Sequence, residues 1–227
     1  MAHDRPAAEG VGSGHFPGPP VDTGHVEPCP RRVRARVGGT WVLDTTAAFY
    51  VWEHPYYPEY AVPADDLPED VRRRGRPAPD AASRAGLPDG HVVLRFGAAE
   101  EWFEEDEPVL GHPRSPFVRV DALRTGREVL VTHDGRVLAH AHGAVAVFET
   151  GLPPRWYVDR TTVDWSLLSP TSTETRCPYK GLAADWWAAG ETADVAWSYA
   201  APTAALAAIT GLVAFDDTLV SIRVTPA

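Results

Sequence analysis

Lysine is almost missing from this chain of 227 residues, because Lys180 is the only one and arginine supplies every other cation. Asparagine and glutamine are absent altogether. A GC-rich coding bias explains a drift from lysine to arginine wherever only a positive charge is needed, and one lysine can survive such a drift by chance. Arginine, however, neither deprotonates nor forms an imine, whereas lysine can do both. Lys180 is therefore a candidate functional residue.

Positive charge as a whole is also scarce. Lys and Arg number 21 against 31 Asp and Glu, which gives a formal net charge of −10 at pH 7. The densest basic cluster, at 72–76, lies among proline and aspartate. Because binding to a phosphate backbone needs clustered Lys and Arg, this balance argues against a nucleic-acid partner. Small anionic ligands remain compatible with it.

Long apolar runs and paired cysteines are missing too. No stretch approaches the roughly 20 apolar residues that span a bilayer, and MAHDRPAAEG lacks the charged-then-apolar plan of a signal peptide. We therefore expect a cytoplasmic protein with no membrane partner. Cys29 and Cys177 are too few for a disulfide framework or a four-thiolate zinc site. His140 and His142 have the spacing of ligands on one strand face, but no third ligand is evident, so we expect neither a metal nor a cofactor.

An internal repeat organises the rest of the chain. Residues 31–62 align without a gap on 127–158 at an offset of 96, and this alignment matches Glu53 with Glu149. Two similar domains follow from it. We predict a flexible, Gly- and Pro-rich leader over 1–30, a first, degenerate domain over 31–122 and a second domain over 123–227.

Each copy has the pattern of antiparallel strands. In the second copy Val129 and Val131 alternate up to the turn at Asp134-Gly135, and Asp-Gly is a strong hairpin signal. The run AVAVFET then alternates with period two and ends at a glutamate. The Ala-rich stretch 202–210, followed by glycine, predicts one short helix. The predicted fold class is mainly β, with two tandem antiparallel domains and a short helix in the second.

The segments that carry a family resemblance lie between Gly111 and the C-terminus. They are HPRSPFVRVDAL, ETGLPPRWYV, LLSPTSTETRCPYKGLAADWW and WSYAAPTAALAAITGLVAF. Through them the chain resembles the domain-of-unknown-function family 427 (DUF427), as a two-copy member. The resemblance implies two β-tent-like domains, a fold also found in methionine-R-sulfoxide reductases. CPYKG occurs only in the second copy, and the nucleotidyltransferase label attached to the family finds no Gly-rich phosphate loop here.

The segment around CPYKG is the best candidate site, since it places Cys177, Tyr179 and Lys180 beside Arg176. Crowding by Arg176 is expected to lower the pKa of Lys180. We predict that Lys180 and Tyr179 are acid/base groups, that Glu149 is their charge partner or general base, and that Cys177 is a weaker candidate for a nucleophile. The alternative is structural, with a buried thiol and ring and a lysine that is merely ion-paired.

A set of aromatic and basic side chains is predicted to bind the substrate: Arg155, Tyr157, Arg176, Trp197 and Tyr199. Trp197 and Tyr199 alternate along a strand and so face one side, although an aromatic core has the same pattern. Arg155 aligns with Glu59 of the first copy, and this charge reversal breaks the symmetry of the repeat. Such an arginine suits a carboxylate or phosphate, so the expected partner is a small, anionic organic molecule.

Three functions fit these residues. The first is a cofactor-independent enzyme of small-molecule or secondary metabolism, which uses acid/base chemistry for hydrolysis, isomerisation or cyclisation. The second is a non-catalytic module that binds a small ligand or a protein. The third is thiol redox chemistry at Cys177, which rests on analogy of fold alone.

Overall fold

The computed structural model describes residues 21–225. Within them the chain divides into two compact units, 21–118 and 119–225. Both units consist mainly of antiparallel β-sheet, which confirms the predicted fold class. Over the described residues, no helix is both long and apolar enough to cross a membrane.

The first unit contains two sheets and short helices. Its strands are β1 (Val26–Pro28), β2 (Val33–Val37), β3 (Thr40–Thr45), β4 (Phe49–His54), β5 (Tyr57–Pro63), β6 (Arg76–Pro77), β7 (His91–Leu94), β8 (Glu101–Glu104) and β9 (Glu107–Val109). Its helices are α1 (Glu69–Arg72), α2 (Asp80–Arg84) and two 3-10 turns (Ala64–Asp66 and Phe96–Ala98). The sheet orders are β1-β4-β5-β7-β6 and β3-β2-β8-β9.

The second unit is built on one large sheet. Its strands are β10 (Val120–His133), β11 (Arg136–Glu149), β12 (Arg155–Val158), β13 (Leu168–Pro170), β14 (Thr175–Cys177), β15 (Gly181–Ala183), β16 (Asp185–Ala189), β17 (Thr192–Ser198), β18 (Val213–Phe215) and β19 (Ser221–Thr225). Three 3-10 helices lie at Arg160–Thr162, Trp165–Leu167 and Ala204–Ile209. The eight-stranded sheet has the order β13-β16-β17-β18-β12-β11-β10-β19, and β14 and β15 form a separate hairpin.

The internal repeat extends to the pairing of the strands. Val33 pairs with Thr45 in the first copy, and Val129 pairs with Ala141 in the second, which keeps the offset of 96. Both hairpins also contain one extra residue at the same place, between the pairs at 35/43 and 36/41 and between those at 131/139 and 132/137. A bulge repeated at the same step shows that the copies share a backbone plan.

The predicted turn and helix of the second copy are both present. Asp134 and Gly135 have φ of 49° and 72°, the left-handed values that a two-residue hairpin turn requires. The helical segment is a 3-10 helix over Ala204–Ile209 rather than an α-helix. Leu206 and Ile209 are its buried residues, and the segment is kinked at Leu206, whose φ of −109° and ψ of 18° are not helical.

One expectation for the first unit is wrong. The leader was predicted to be flexible over 1–30, but Val26–Pro28 pair with β4 and Cys29 is buried, so 21–30 belong to the folded unit. The first 20 residues lie outside the described part. The Pro- and Arg-rich stretch 68–90 contains α1 and α2, which are anchored by the buried Val71 and Ala82.

Candidate functional site

The predicted site residues of the second unit meet on one face of the large sheet. Tyr157 on β12 pairs with Val145 on β11 and with Ala214 on β18, and Ala214 pairs in turn with Trp197 on β17. Directly paired residues in antiparallel strands point to the same side. Tyr157 and Trp197 therefore share a face, and Tyr199, two residues after Trp197, extends it.

The small side chain of Ala214 sets the spacing of this aromatic face. It lies between two large rings, and the indole Nε1 of Trp197 donates a hydrogen bond to the Tyr157 hydroxyl at 3.4 Å. The Tyr199 ring lies 6.5 Å from that of Tyr157, and Trp186 stacks on Trp197 at 5.1 Å. All three face residues 157, 197 and 199 are buried. The aromatic residues thus form a packed layer.

The CPYKG segment forms the turn of the β14–β15 hairpin. Cys177 pairs with Gly181, so Pro178, Tyr179 and Lys180 make the connection. Gly181 has φ of +106°, and a Cβ there would lie 3.3 Å from the Ala201 carbonyl oxygen, so glycine is required. Backbone hydrogen bonds then attach the turn to the chain near Thr203.

Thr203 holds this turn through two hydrogen bonds. Its backbone N–H donates to the Lys180 carbonyl at 3.0 Å, and its hydroxyl donates to the Tyr179 carbonyl at 2.6 Å. The turn is therefore fixed to the segment that leads into the 3-10 helix Ala204–Ile209. That helix packs its buried Leu206 and Ile209 in the same apolar cluster as Tyr157 and Tyr199.

The Lys180 side chain reaches Glu149, at the end of β11. The distance from Nζ to Oε1 is 2.5 Å, and each side chain is only 14% exposed. An ion pair this well shielded is rare, because both charges lose their water. The predicted partnership of Lys180 and Glu149 is therefore present as a direct contact.

The charge on Lys180 is stabilised rather than suppressed. Burial acts to lower the pKa of Lys180, but the adjacent Glu149 carboxylate outweighs it, and the net pKa lies above the ordinary value. The expectation that Arg176 lowers this pKa is wrong. Arg176 is exposed and bound to Glu174 at 2.6 Å. Lys180 is consequently a fixed cation at neutral pH.

The two tyrosines on the sheet face are held neutral. Burial raises the pKa of Tyr157, with Lys180 acting in the opposite direction. Burial also raises the pKa of Tyr199 well above its ordinary value, and the neighbouring Tyr157 adds to this effect. Both hydroxyls therefore keep their protons over the physiological range and can donate hydrogen bonds.

Arg155 lies on the same face but is already bound within the unit. Its guanidinium donates to the Phe215 carbonyl at 2.9 Å and to Asp217 at 3.1 Å, and it lies 5.0 Å over the Trp197 ring. These contacts position the arginine beside the aromatic layer. To bind a substrate anion, the Arg155 guanidinium would have to use its remaining N–H groups or break its hydrogen bond to Asp217.

The remaining predicted residues lie around the hairpin. Cys177 is a free, half-buried thiol, and its electrostatic effect extends to Lys180 and Tyr199. Tyr179 is half-buried at the centre of the turn. Arg176 is outside this group, as its contact with Glu174 shows. Cys177, Lys180, Glu149 and the two face tyrosines are the residues brought together.

The first copy carries a related but different ion pair. Glu53, the match of Glu149, binds Arg76 on β6. Ala61 is the match of Tyr157, and it pairs with Val93, which pairs in turn with Arg76. Arg76 therefore occupies the strand position that Trp197 occupies in the second copy. An arginine on a strand thus supplies the cation that Lys180 supplies from a turn in the second copy.

Sequence reasoning missed a buried polar cluster in the first unit. Glu104 stands in the run EEWFEEDE, which has the appearance of a solvated acidic face, yet it is 4% exposed. It accepts hydrogen bonds from Tyr50 and Tyr60 at 3.0 and 2.9 Å and pairs with Arg31 at 2.6 Å. The signal was the alternation of Trp102 and Glu104 on one strand, which points both inward.

Comparison with known proteins gives one family. The family model described as "Domain of unknown function (DUF427)" matches residues 25–78 and 121–225. These ranges make up more than half of the chain, so the chain belongs to this family. The split of the match into two ranges is consistent with a two-part member. No curated protein matches the chain significantly.

Proposed function

We propose that the second unit is a cofactor-independent enzyme that moves a proton on a small anionic organic molecule, at the sheet face around Glu149 and Lys180. The buried ion pair carries this proposal. Taking two charges out of water costs several kcal/mol per ion, and apolar residues of similar volume would fold at least as well. Charges kept in such a place favour a role for the charges themselves.

Each residue has a distinct part in the proposed reaction. Glu149 accepts the proton from the substrate. Lys180 stays protonated and stabilises the negative charge that develops as the proton leaves, because a nearby fixed cation in a water-poor site acts strongly on such charge. Tyr157 and Tyr199 stay buried in the aromatic layer and keep neutral hydroxyls beside the pair. Lys180 is thus an electrostatic catalyst rather than the titrating acid that the sequence suggested.

A non-catalytic binding module is the second candidate, and the raised pKa of Lys180 favours it. A cation that stays charged is a good anchor for a carboxylate or phosphate even when no proton moves. Thiol redox chemistry gains no comparable support, since Cys177 is the only cysteine in 119–227 and would lack a resolving partner in its own unit.

The proposal is tested first by ligand binding. A panel of small organic carboxylates and phosphates is screened by thermal shift against the wild-type chain and against Lys180→Arg, Lys180→Met and Glu149→Gln. A true ligand should stabilise the wild type and lose most of this effect in Lys180→Met. Arg176→Met serves as the matched control, because its cation is exposed and bound elsewhere.

The results separate the roles of the residues. Affinity that survives Lys180→Arg, with loss of turnover in Glu149→Gln, fits the proposal that the lysine is a fixed charge. Loss of turnover in Tyr179→Phe would instead restore Tyr179 as a catalytic acid. A ligand that binds Lys180→Met as well as it binds the wild type, or a panel in which nothing shifts the wild type, would contradict the proposal.

A further inference from the structure

The hairpin β10–β11 brings two histidines and a glutamate together on the surface of the second unit. Glu128 pairs with His142 across the strands, and His140 lies two residues away on the same strand and the same face. The ligand atoms of Glu128, His140 and His142 all lie within 4.8 Å of one another. This group is separate from the Lys180 site and takes no part in the proposed reaction.

We propose that Glu128, His140 and His142 bind a divalent transition-metal ion, with Zn²⁺ as the representative. Two imidazole nitrogens and one carboxylate are donors that zinc prefers, and three protein ligands leave a fourth position for water. Ligands about 2.0–2.2 Å from zinc in a tetrahedron lie roughly 3.3–3.5 Å apart. Small changes of side-chain rotamer bring the ligand atoms to these separations, and both histidines are exposed.

The contacts around the group prepare it for a cation. His140 Nε2 lies 2.5 Å from Glu128 Oε1, and the Thr225 hydroxyl donates to the other carboxylate oxygen at 3.2 Å. The centre of the His142 ring lies 5.0 Å from that of the His140 ring.

The matching positions of the first copy form an ion pair without a third residue. Arg32 and Asp44 match Glu128 and His140 at the offset of 96, and they form a salt bridge. Thr46 stands where the second copy has His142. A cross-strand charge pair therefore does not require a histidine at that third position, whereas a metal site gains its third ligand there.

Zinc titration of the full-length chain, followed by isothermal calorimetry, tests this site. Wild type should bind one Zn²⁺ more than His142→Ala, or bind it at least about tenfold more tightly. His142→Ala is the sharpest variant, since it keeps the contact between Glu128 and His140. His133→Ala is the matched control on the same hairpin, because His133 lies outside the group, and it should bind like wild type.

A second readout identifies the donors. Co²⁺ in place of Zn²⁺ should give visible absorption typical of a four- or five-coordinate nitrogen and oxygen site, and Glu128→Gln should change that spectrum while circular dichroism stays the same. Equal Zn²⁺ binding by wild type and His142→Ala overturns the proposal. So does an absence of stoichiometric Zn²⁺ binding by wild type, which would leave the contact between Glu128 and His140 as a hydrogen bond only.

Discussion

Lys180 Nζ lies 2.5 Å from Glu149 Oε1, and the two side chains are equally shielded from water. In the first copy the matching Glu53 binds Arg76, which arrives from a different element. Both copies therefore neutralise the carboxylate that ends the apolar strand. Only the second does so with an ammonium group on a tight, glycine-dependent turn, and this difference makes the second unit the candidate for chemistry.

The buried pair should be strongly coupled in stability. Lys180→Met and Glu149→Leu each leave one buried charge without its partner, so each should lower the free energy of unfolding by about 3–5 kcal/mol. The double variant should be less destabilised than the sum of the two, because no lone charge remains. Urea unfolding of the four proteins measures this. Additive losses would mean that the contact contributes no coupling.

Alkaline pH should unfold the chain in a step that includes tyrosine ionisation. The pKa of Tyr157 and that of Tyr199 are raised on folding, as is the pKa of Lys180. Their stabilisation is therefore complete below the unfolded pKa values near 10 and is lost as pH rises through the folded values. Absorbance at 295 nm and circular dichroism should change together above about pH 10.

Variants of single tyrosines check that assignment. Tyr199→Phe should reduce the absorbance change in the cooperative step by the contribution of one tyrosine. Tyr56→Phe is the control, because its ring is 51% exposed, and it should leave the cooperative step unchanged. A wild-type titration in which every tyrosine ionises before any loss of structure would disagree with the buried aromatic face.

Ala214 is expected to tolerate no larger residue. It is fully buried between Tyr157 and Trp197, so Ala214→Leu forces the rings apart and should cost about 1–3 kcal/mol, as overpacking does. Tryptophan fluorescence and urea unfolding report the change together. Ala205→Leu is the control, at an exposed position. A neutral Ala214→Leu would show that the spacing of the aromatic layer is not set by this alanine.

Gly181 and Gly190 separate two effects of a glycine substitution. Gly190 has φ of +57° with open space around its Cβ position, so Gly190→Ala should cost about 1–2 kcal/mol from backbone conformation alone. Gly181→Ala adds a close approach to the Ala201 carbonyl and a less favourable φ of +106°. Gly181→Ala should therefore be the more destabilising, as measured by thermal unfolding. The reverse order would argue against the fixed turn at Lys180.

Glu104 should matter far more to stability than its acidic neighbours. Glu104→Ala removes the acceptor of two tyrosine hydroxyls and of Arg31, and an orphaned buried donor costs about 1–3 kcal/mol for each hydroxyl. Glu107→Ala, on the exposed edge of the same hairpin, should change stability by less than about 0.5 kcal/mol. Equal effects in urea unfolding would contradict the buried cluster.

The strand pattern and the hairpin turn could be predicted from sequence because they depend on local periodicity and on Asp134-Gly135. The contact between Lys180 and Glu149 could also be anticipated, since Glu149 ends an apolar strand face, where a shielded carboxylate gains from a nearby cation. Glu128, the third ligand of the group with His140 and His142, could not be predicted from sequence. If the strands paired without a bulge from the turn onward, Glu128 would pair with Ala141. Its side chain would then lie on the face opposite to His140 and His142. The extra residue in β11 shifts the register by one, and sequence gives no sign of it.

Hydrogen–deuterium exchange of a bound ligand tests the central claim most directly. A compound that depends on Lys180 for binding is incubated in D₂O with wild type and with Glu149→Gln, and its carbon-bound hydrogens are followed by NMR. The account predicts deuterium incorporation by wild type and a rate roughly 10²–10⁴-fold lower in Glu149→Gln. Binding with no incorporation, or equal incorporation by both proteins, would contradict Glu149 as the base.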